Sequence, residues 1–328
     1  MRVLTSAFLE RRSCFALLGT VVLAGGACIW LEVIINDWYR MFYDALVARN
    51  ASAAVDAIVV FVGASAGLSL LTAGNSYFGE LLDAELRNAM SVVLFRRATS
   101  HATAEQLKHA FPDQRIGEDI EIFTSRFAIV GITAVLMGLK GLVFFAILWD
   151  LSPPLLFMNV HVPGVLSMAA ALYFLLPAAV TYLLGMKAYL YENRRRRAEA
   201  RLRYSLIEAL RDGEKKALAK YRRVLNQILI ITKVGLRLNA SSTLVSFGFS
   251  AMSVLVPMGM LLPFYFAEQV AFGDIIKASA AFSVFQASLS YVFTSSREVV
   301  RCIAALRRVE GFAGTLTANT AAQNCGQH

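Results

Sequence analysis

Six stretches of this chain run for about twenty residues or more with almost no Asp, Glu, Lys or Arg, and no other feature of the sequence constrains its fold as tightly. They span 13–31, 57–79, 127–149 (interrupted only by Lys140), 151–186, 238–267 and 278–296. About 20 apolar residues rising 1.5 Å each cross a hydrocarbon layer ~30 Å thick. Lipid offers the backbone no partners, so each stretch is predicted to be a helix that satisfies its own hydrogen bonds. Composition agrees, with 57% hydrophobic residues, 17% charged residues and a mean hydropathy of +0.56. Those values exclude an ordinary soluble globular protein, and the 11% aromatic content argues against a disordered chain. The expected fold class is an all-α membrane protein with six transmembrane helices.

The run over 151–186 is too long for one crossing and too short for two with a turn. Pro153-Pro154 and the segment 159–164, with His161 and Pro163, are predicted to connect two helices outside the membrane, the next helix starting near Val165. The run over 238–267 ends near Pro257 and Pro263. Basic residues set the orientation. Of 32 Lys and Arg, Arg40 and Arg49 lie between the first and second spans, Lys140 and Lys277 lie in or beside spans, and 28 fall on the opposite side. Segments 80–126 and 187–237 and both termini are therefore predicted to be cytoplasmic. The same rule accounts for the net charge of +9 without any nucleic-acid partner. Arg11-Arg12 ahead of Gly25-Gly26-Ala27-Cys28 resembles a signal segment, but Gly25 stands where a lipoprotein signal needs a branched apolar residue, so an uncleaved first span is expected. Cys14, Cys28, Cys302 and Cys325 have no metal or redox spacing, nor do His101, His109, His161 and His328, and no cofactor or metal is expected.

Two segments of about 50 residues on the basic side read as helix, as in YENRRRRAEARLRYSLIEALRDGEKKALAKYRRVLNQ. Long extensions between the second and third spans and between the fourth and fifth give the layout of an ABC-exporter transmembrane domain. One such unit encloses no central pathway and the chain shows no internal repeat, so a homodimer is expected. No G-x-x-x-x-G-K-[ST] motif occurs, and the expected division is a six-helix domain over 1–312 and a short polar tail over 313–328, without a nucleotide-binding domain.

Several polar residues are candidates for function, each with a plainer reading beside it. Partly buried carboxylates can change protonation, which makes them candidates for coupling in a carrier. Glu118 and Asp119 lie three and four residues after Arg115, itself a candidate to contact substrate, and close enough to it for a structural pair on a helix. Glu192 and Glu199 are two turns apart on one helix face, with Arg195 and Arg196 three or four residues from each. Glu32 and Lys140 sit in apolar surroundings and are expected to form a gate or a structural pair if they meet. Trp38, Tyr39, Phe42 and Tyr43 read either as an interfacial aromatic belt or as a substrate-contacting rim, where Asp44 would attract cationic cargo. The run Arg194 to Arg197 anchors the inner face, and Lys277 is expected to snorkel. Tyr77, Glu80 and Asp83 read as a helix face, with Asp83 in reach of Arg87, and Gly63 and Gly67 as a packing motif. No triad, metal set or paired-acid motif argues for an enzyme.

The segments NDWYRMFYDALVARN at 36–50, FPDQRIGEDI at 111–120, HVPG at 161–164 and RLRYSLIEALRDGE at 201–214 resemble the SbmA/BacA family, and also the transmembrane domains of peptide, fatty-acyl and cobalamin ABC transporters. The likeness keeps the same order from about residue 30 to 312. It implies a homodimer in the bacterial inner membrane that imports antimicrobial peptides or peptide toxins on the proton gradient. It further implies that Glu118 matches a family glutamate on the proton path and that Glu192 and Glu199 match glutamates lining the cavity. PDQRIGEDI and LRYSL look closer to the ATP-driven relatives, Pro177 stands where relatives commonly carry Gly, and the additional N-terminal helix of the family is expected to be missing. A transmembrane subunit with a separate ATPase, and a toxin-binding scaffold, are the alternatives.

Overall fold

A computed structural model describes residues 2–101, 114–153, 155–157, 160–212 and 214–325. The chain forms α1 (Arg2–Glu10), α2 (Arg12–Val47) and α3 (Ala51–His101), then a third span made of a π-helical turn (Arg115–Asp119), α4 (Ile120–Ser125), a second π-helical turn (Arg126–Gly131) and α5 (Ile132–Asp150). A two-strand hairpin, β1 (Leu155–Phe157) and β2 (Val160–Val162), leads to α6 (Val165–Asp212), α7 (Glu214–Met252), α8 (Leu255–Phe266) and α9 (Phe272–Cys325). Among the described residues, six helical stretches are long and apolar enough to cross a membrane: Arg12–Val47, Ala51–Ser100, Ile116–Asp150, Val165–Tyr204, Tyr221–Phe266 and Phe272–Gly314. Each is built on one of the charge-free runs. The 51 residues of α3 reach about 75 Å at 1.5 Å per residue, so this helix continues far beyond a bilayer core.

Short connections join the spans at one end of the bundle. At the first, Asn50 caps α3 by accepting a hydrogen bond on Oδ1 from the Ala53 amide at 3.2 Å. At the second, β1 and β2 pair antiparallel with Leu155 opposite Val162, and α6 begins at Val165 as predicted. Gly164 turns the chain there with φ +71°, and a side chain at this position would run into the Trp149 ring. At the third, Asp44 of α2 accepts the Gly273 amide at 2.9 Å and so caps α9 from another helix.

Three features of the helix ends go beyond the sequence pattern. The nine-residue α1 precedes the first span and buries Val3, Ala7 and Phe8 on one face. In the fifth span, the prolines do not end the helix. The chain breaks at Ser253 and Val254, and α8 resumes with Pro257 in its first turn, where a missing N–H costs no helical bond. The last helix runs through Cys325.

Two apolar clusters hold the bundle. At the arginine-rich end, Leu82, Leu86, Met90 and Leu94 recur every four residues along α3 and are fully buried against Ile120, Phe123, Ala305 and Val309. At the short-connection end, Phe144 and Leu148 pack with Leu166, Ala170, Leu261 and Phe282. Helix α9 is the hub, and its buried Ala278, Ser279, Ala281 and Ser288 let neighbouring helices approach closely. In contrast, α6 and α7 lie against each other along their length and touch the other helices sparingly. Gly63 faces open space and Gly67 meets only a Leu31 methyl at 3.4 Å, so this glycine pair is not a close helix crossing.

Candidate functional site

Helices α6, α7 and α9 leave between them a connected series of cavities. The part nearest the short connections measures about 360 Å³ and is lined by Tyr173, Phe174, Pro177, Thr181, Ser246, Ser250, Ser290 and Phe293. Pro177 stands inside α6, where it removes one bond from the helical ladder, and the Tyr173 hydroxyl donates across to the Phe249 carbonyl at 2.7 Å. A second part of about 580 Å³ shares Thr181, Phe293 and Thr294 with the first and reaches Arg297. A third of about 620 Å³ shares Tyr189, Asn239 and Arg297 with the second and is lined further by Glu192, Arg195, Arg196 and Arg301. The wall thus passes from aromatic and hydroxyl groups to carboxylate and guanidinium groups along one path.

Charges at the arginine-rich end are paired in two ways. Glu192 contacts Arg195 at 3.2 Å and Arg196 at 3.3 Å, and Glu199 contacts Arg195 at 3.4 Å, all within α6. Glu192 lines the third cavity, while Glu199 meets its wall only through Arg195. Between helices, Glu298 pairs with Arg126, Arg11 with Glu85, and Arg87 with Glu121 at 2.8 Å, while Glu298 also pairs with Arg301 within α9 at 3.0 Å. Arg87 therefore reaches across to the third span and not back to Asp83, whose buried Oδ1 receives no hydrogen bond among the described residues. Asp119 is buried against Arg308 of α9, whereas Glu118 is exposed on the π-helical turn, accepts a long hydrogen bond from Gln114 at 3.4 Å and does not line these cavities. The Arg115 side chain lies outside the described residues, as does the segment 102–113.

Glu32 and Lys140 meet. Lys140 Nζ stands 2.5 Å from Glu32 Oε2, and the pair borders a separate cavity of about 500 Å³ lined also by Asn36, Tyr39, Ser279 and Ser283. Lys277 pairs with Asp37 at 2.7 Å instead of snorkelling alone.

The aromatic group following Glu32 divides by role. Trp38 stacks on Phe42 with centroids 5.0 Å apart and packs on Phe61 of α3 at 4.4 Å, while Tyr43 meets Phe272 of α9 edge-on. These rings clamp α2 to its neighbours, and Tyr39 lines the cavity beside Glu32 and Lys140. Asp44 is engaged by the Gly273 amide and stands 3.7 Å from Arg40, which also pairs with Asp274 at 3.1 Å. Its carboxylate is thus part of the scaffold.

Sequence reasoning passed over Asn36, Arg297 and Glu298. Asn36 lies one turn beyond Glu32 on the same face, and Arg297 is the first charge after the sixth run; both spacings are readable in the sequence.

Comparison with known proteins agrees with this architecture. The model of the SbmA/BacA-like family matches residues 10–317. An uncharacterized ABC transporter ATP-binding protein of Synechocystis is 26% identical over 212 residues, covering 61% of this chain and 30% of that protein. ABC transporter D family member 2, chloroplastic, of Arabidopsis thaliana is 22% identical over 303 residues, covering 88% of this chain and 41% of its own length. The chain spans less than half the length of these two relatives. With its six spans and a family match over nearly the whole sequence, the chain belongs to the SbmA/BacA-like family of membrane transporters.

Proposed function

We propose that this protein is a bacterial inner-membrane importer of peptides such as antimicrobial peptides or peptide toxins, working as a homodimer by alternating access and driven by the proton gradient, with both termini in the cytoplasm. The observation that carries this reading is the graded path along α6, α7 and α9, whose aromatic and hydroxyl wall gives way to Glu192 and its arginines. A wall of mixed character suits cargo with both apolar and charged side chains, which is the chemistry of a peptide. The sparse packing of α6 and α7 on the other helices supports a second copy beside them, and Glu118, Glu192 and Glu199 are the carboxylates proposed to carry protons. Vesicles with an inward proton gradient and no nucleotide should accumulate a labelled peptide, and an uncoupler should stop the uptake. Strict dependence on ATP would overturn the proton-driven reading, and peptide binding without accumulation would leave a receptor or scaffold.

A second reading, a transmembrane subunit served by a separate ATPase, is favoured by the likeness to the two ABC transporter proteins. An ATPase that co-purifies with the chain, together with ATP-dependent flux, would establish it.

A further inference from the structure

The cavity beside Glu32 and Lys140 carries two features that packing alone does not explain. The first is an ion pair set in apolar surroundings, with Glu32 26% and Lys140 14% exposed and Lys140 Nζ 2.5 Å from Glu32 Oε2. The second is Asn36, 3% exposed and one turn along the same face of α2. Its Nδ2 donates to the Lys277 carbonyl at 3.1 Å, while its buried Oδ1 receives nothing among the described residues. An amide oxygen held this way is a ready acceptor for an O–H group. A protonated Glu32 carboxyl would supply one.

Protonating Glu32 alone would leave Lys140 as an unpaired ammonium in apolar surroundings, an unfavourable state unless another anion takes the carboxylate's place. The remaining lining offers none. Leu68 of α3 and Met258 of α8 are apolar, Ser279 and Ser283 of α9 are neutral and donate to carbonyls of their own helix, and Tyr39 brings a neutral phenol. Around this lining, Lys277 of α9 is matched by Asp37 of α2, and Arg40 by Asp44 and Asp274.

We propose that this cavity binds a free carboxylate of the cargo peptide against Lys140 together with one proton on Glu32, whose O–H then donates to Asn36 Oδ1. Before binding, the cavity holds one ammonium and one carboxylate; afterwards it holds the ammonium, the cargo carboxylate and a neutral acid. Its charge is zero in both states. A weakly polarisable wall penalises any state with an excess charge, so anion and proton enter together, and each strengthens the binding of the other by the same factor. The volume of about 500 Å³ leaves room for a terminal residue beside the pair. This inference rests on the peptide-import reading and adds to it the part of the cargo that is recognised and a one-to-one link to a proton.

The test uses the full chain in lipid nanodiscs and two probes: a labelled short peptide without acidic side chains bearing a free C-terminal carboxylate, and the same peptide amidated. Affinity is measured against pH, and proton uptake on mixing is followed with a pH dye in weak buffer. The carboxylate peptide should bind about tenfold tighter for each unit of falling pH, as one-proton linkage requires, with about one proton taken up per peptide bound. The amidated peptide should bind weakly, with no such slope. Glu32→Gln should bind the carboxylate peptide tightly, without a pH slope and without proton uptake. The double variant Glu32→Gln with Lys140→Met buries no lone charge and should lose the preference for the free carboxylate. Equal binding of the two peptides, no binding of either, or a wild-type slope retained in Glu32→Gln overturns the inference. Gradient-driven uptake in vesicles separates the two claims: uptake with an unchanged slope in Glu32→Gln removes this inference and keeps the importer, whereas no uptake by the unaltered protein removes the importer itself.

Discussion

Asp119 accepts two hydrogen bonds from the Arg308 guanidinium on one oxygen, from Nε at 2.9 Å and Nη2 at 2.7 Å, and so ties the start of the third span to α9 across 189 positions of sequence. Asp119 is 3% exposed, while the Arg308 side chain is 43% exposed. That asymmetry makes a prediction. Arg308→Ala leaves a buried carboxylate without its cation, and should lower stability by about 1–3 kcal/mol, discounted from the cost of breaking a fully buried pair because water reaches the guanidinium. Asp119→Ala leaves a guanidinium that water can solvate and should cost less. Thermal unfolding of the detergent-solubilised protein measures both, and an equal or larger loss in Asp119→Ala would refute the argument.

Much of the architecture was legible because it depends on one local property. Charge-free runs long enough to cross a bilayer mark spans whatever their partners, and the segment 153–164, with Pro153, Pro154 and Pro163, is interrupted by proline too often to continue a helix. The arginines of α6 were legible for a similar reason, since Glu192 meets Arg195 and Arg196 at spacings of three and four. Pairings between helices carry no such spacing, and nothing local joins Asp119 to Arg308. Spacing even points the wrong way at Asp83, which lies in reach of Arg87 while Arg87 turns to Glu121. Helix α1 escaped detection because nine residues with charges at both ends are short and polar for a span, and the break at Ser253 because Pro257 sits where a helix tolerates proline.

Gly164 carries the second prediction. Its φ of +71° costs an L-residue about 1–2 kcal/mol, and a Cβ would also strike the Trp149 ring. Gly164→Ala should therefore destabilise the junction between the third and fourth spans. Adding Trp149→Leu should recover the steric part of the loss and not the backbone part, so the double variant should remain less stable than Trp149→Leu alone. Full recovery in unfolding experiments would show that the backbone is unstrained.

The cap on α9 separates two roles for Asp44. If the carboxylate matters through its bond to the Gly273 amide, Asp44→Asn, which keeps a good capping oxygen, should stay near the unaltered protein in stability and in affinity for cationic peptides. Asp44→Ala should lose about 1 kcal/mol. A loss of peptide affinity in Asp44→Asn at unchanged stability would return this residue to the cargo site. Gly273→Ala should be worse than Asp44→Ala, because the new methyl would press on the Arg40 carbonyl and on Asp44 itself.

The proton role proposed for Glu192 can be tested apart from its structural one because the pairs it makes are weak. Its contacts to Arg195 and Arg196 are within one helix and more than a third exposed, and such pairs contribute about 0.3–0.5 kcal/mol each. Glu192→Gln should therefore leave expression, dimerisation and the unfolding midpoint almost unchanged. Uptake driven by a proton gradient should nevertheless fall to background, while exchange of labelled for unlabelled peptide without a gradient should continue, since exchange needs the cavity and not net proton movement. Glu118→Gln, on an exposed π-helical turn away from the cavities, should show the same split if that carboxylate lies on the proton path. Normal gradient-driven uptake in either variant removes that carboxylate from the path, and loss of exchange together with uptake would make its role one of holding the cavity open.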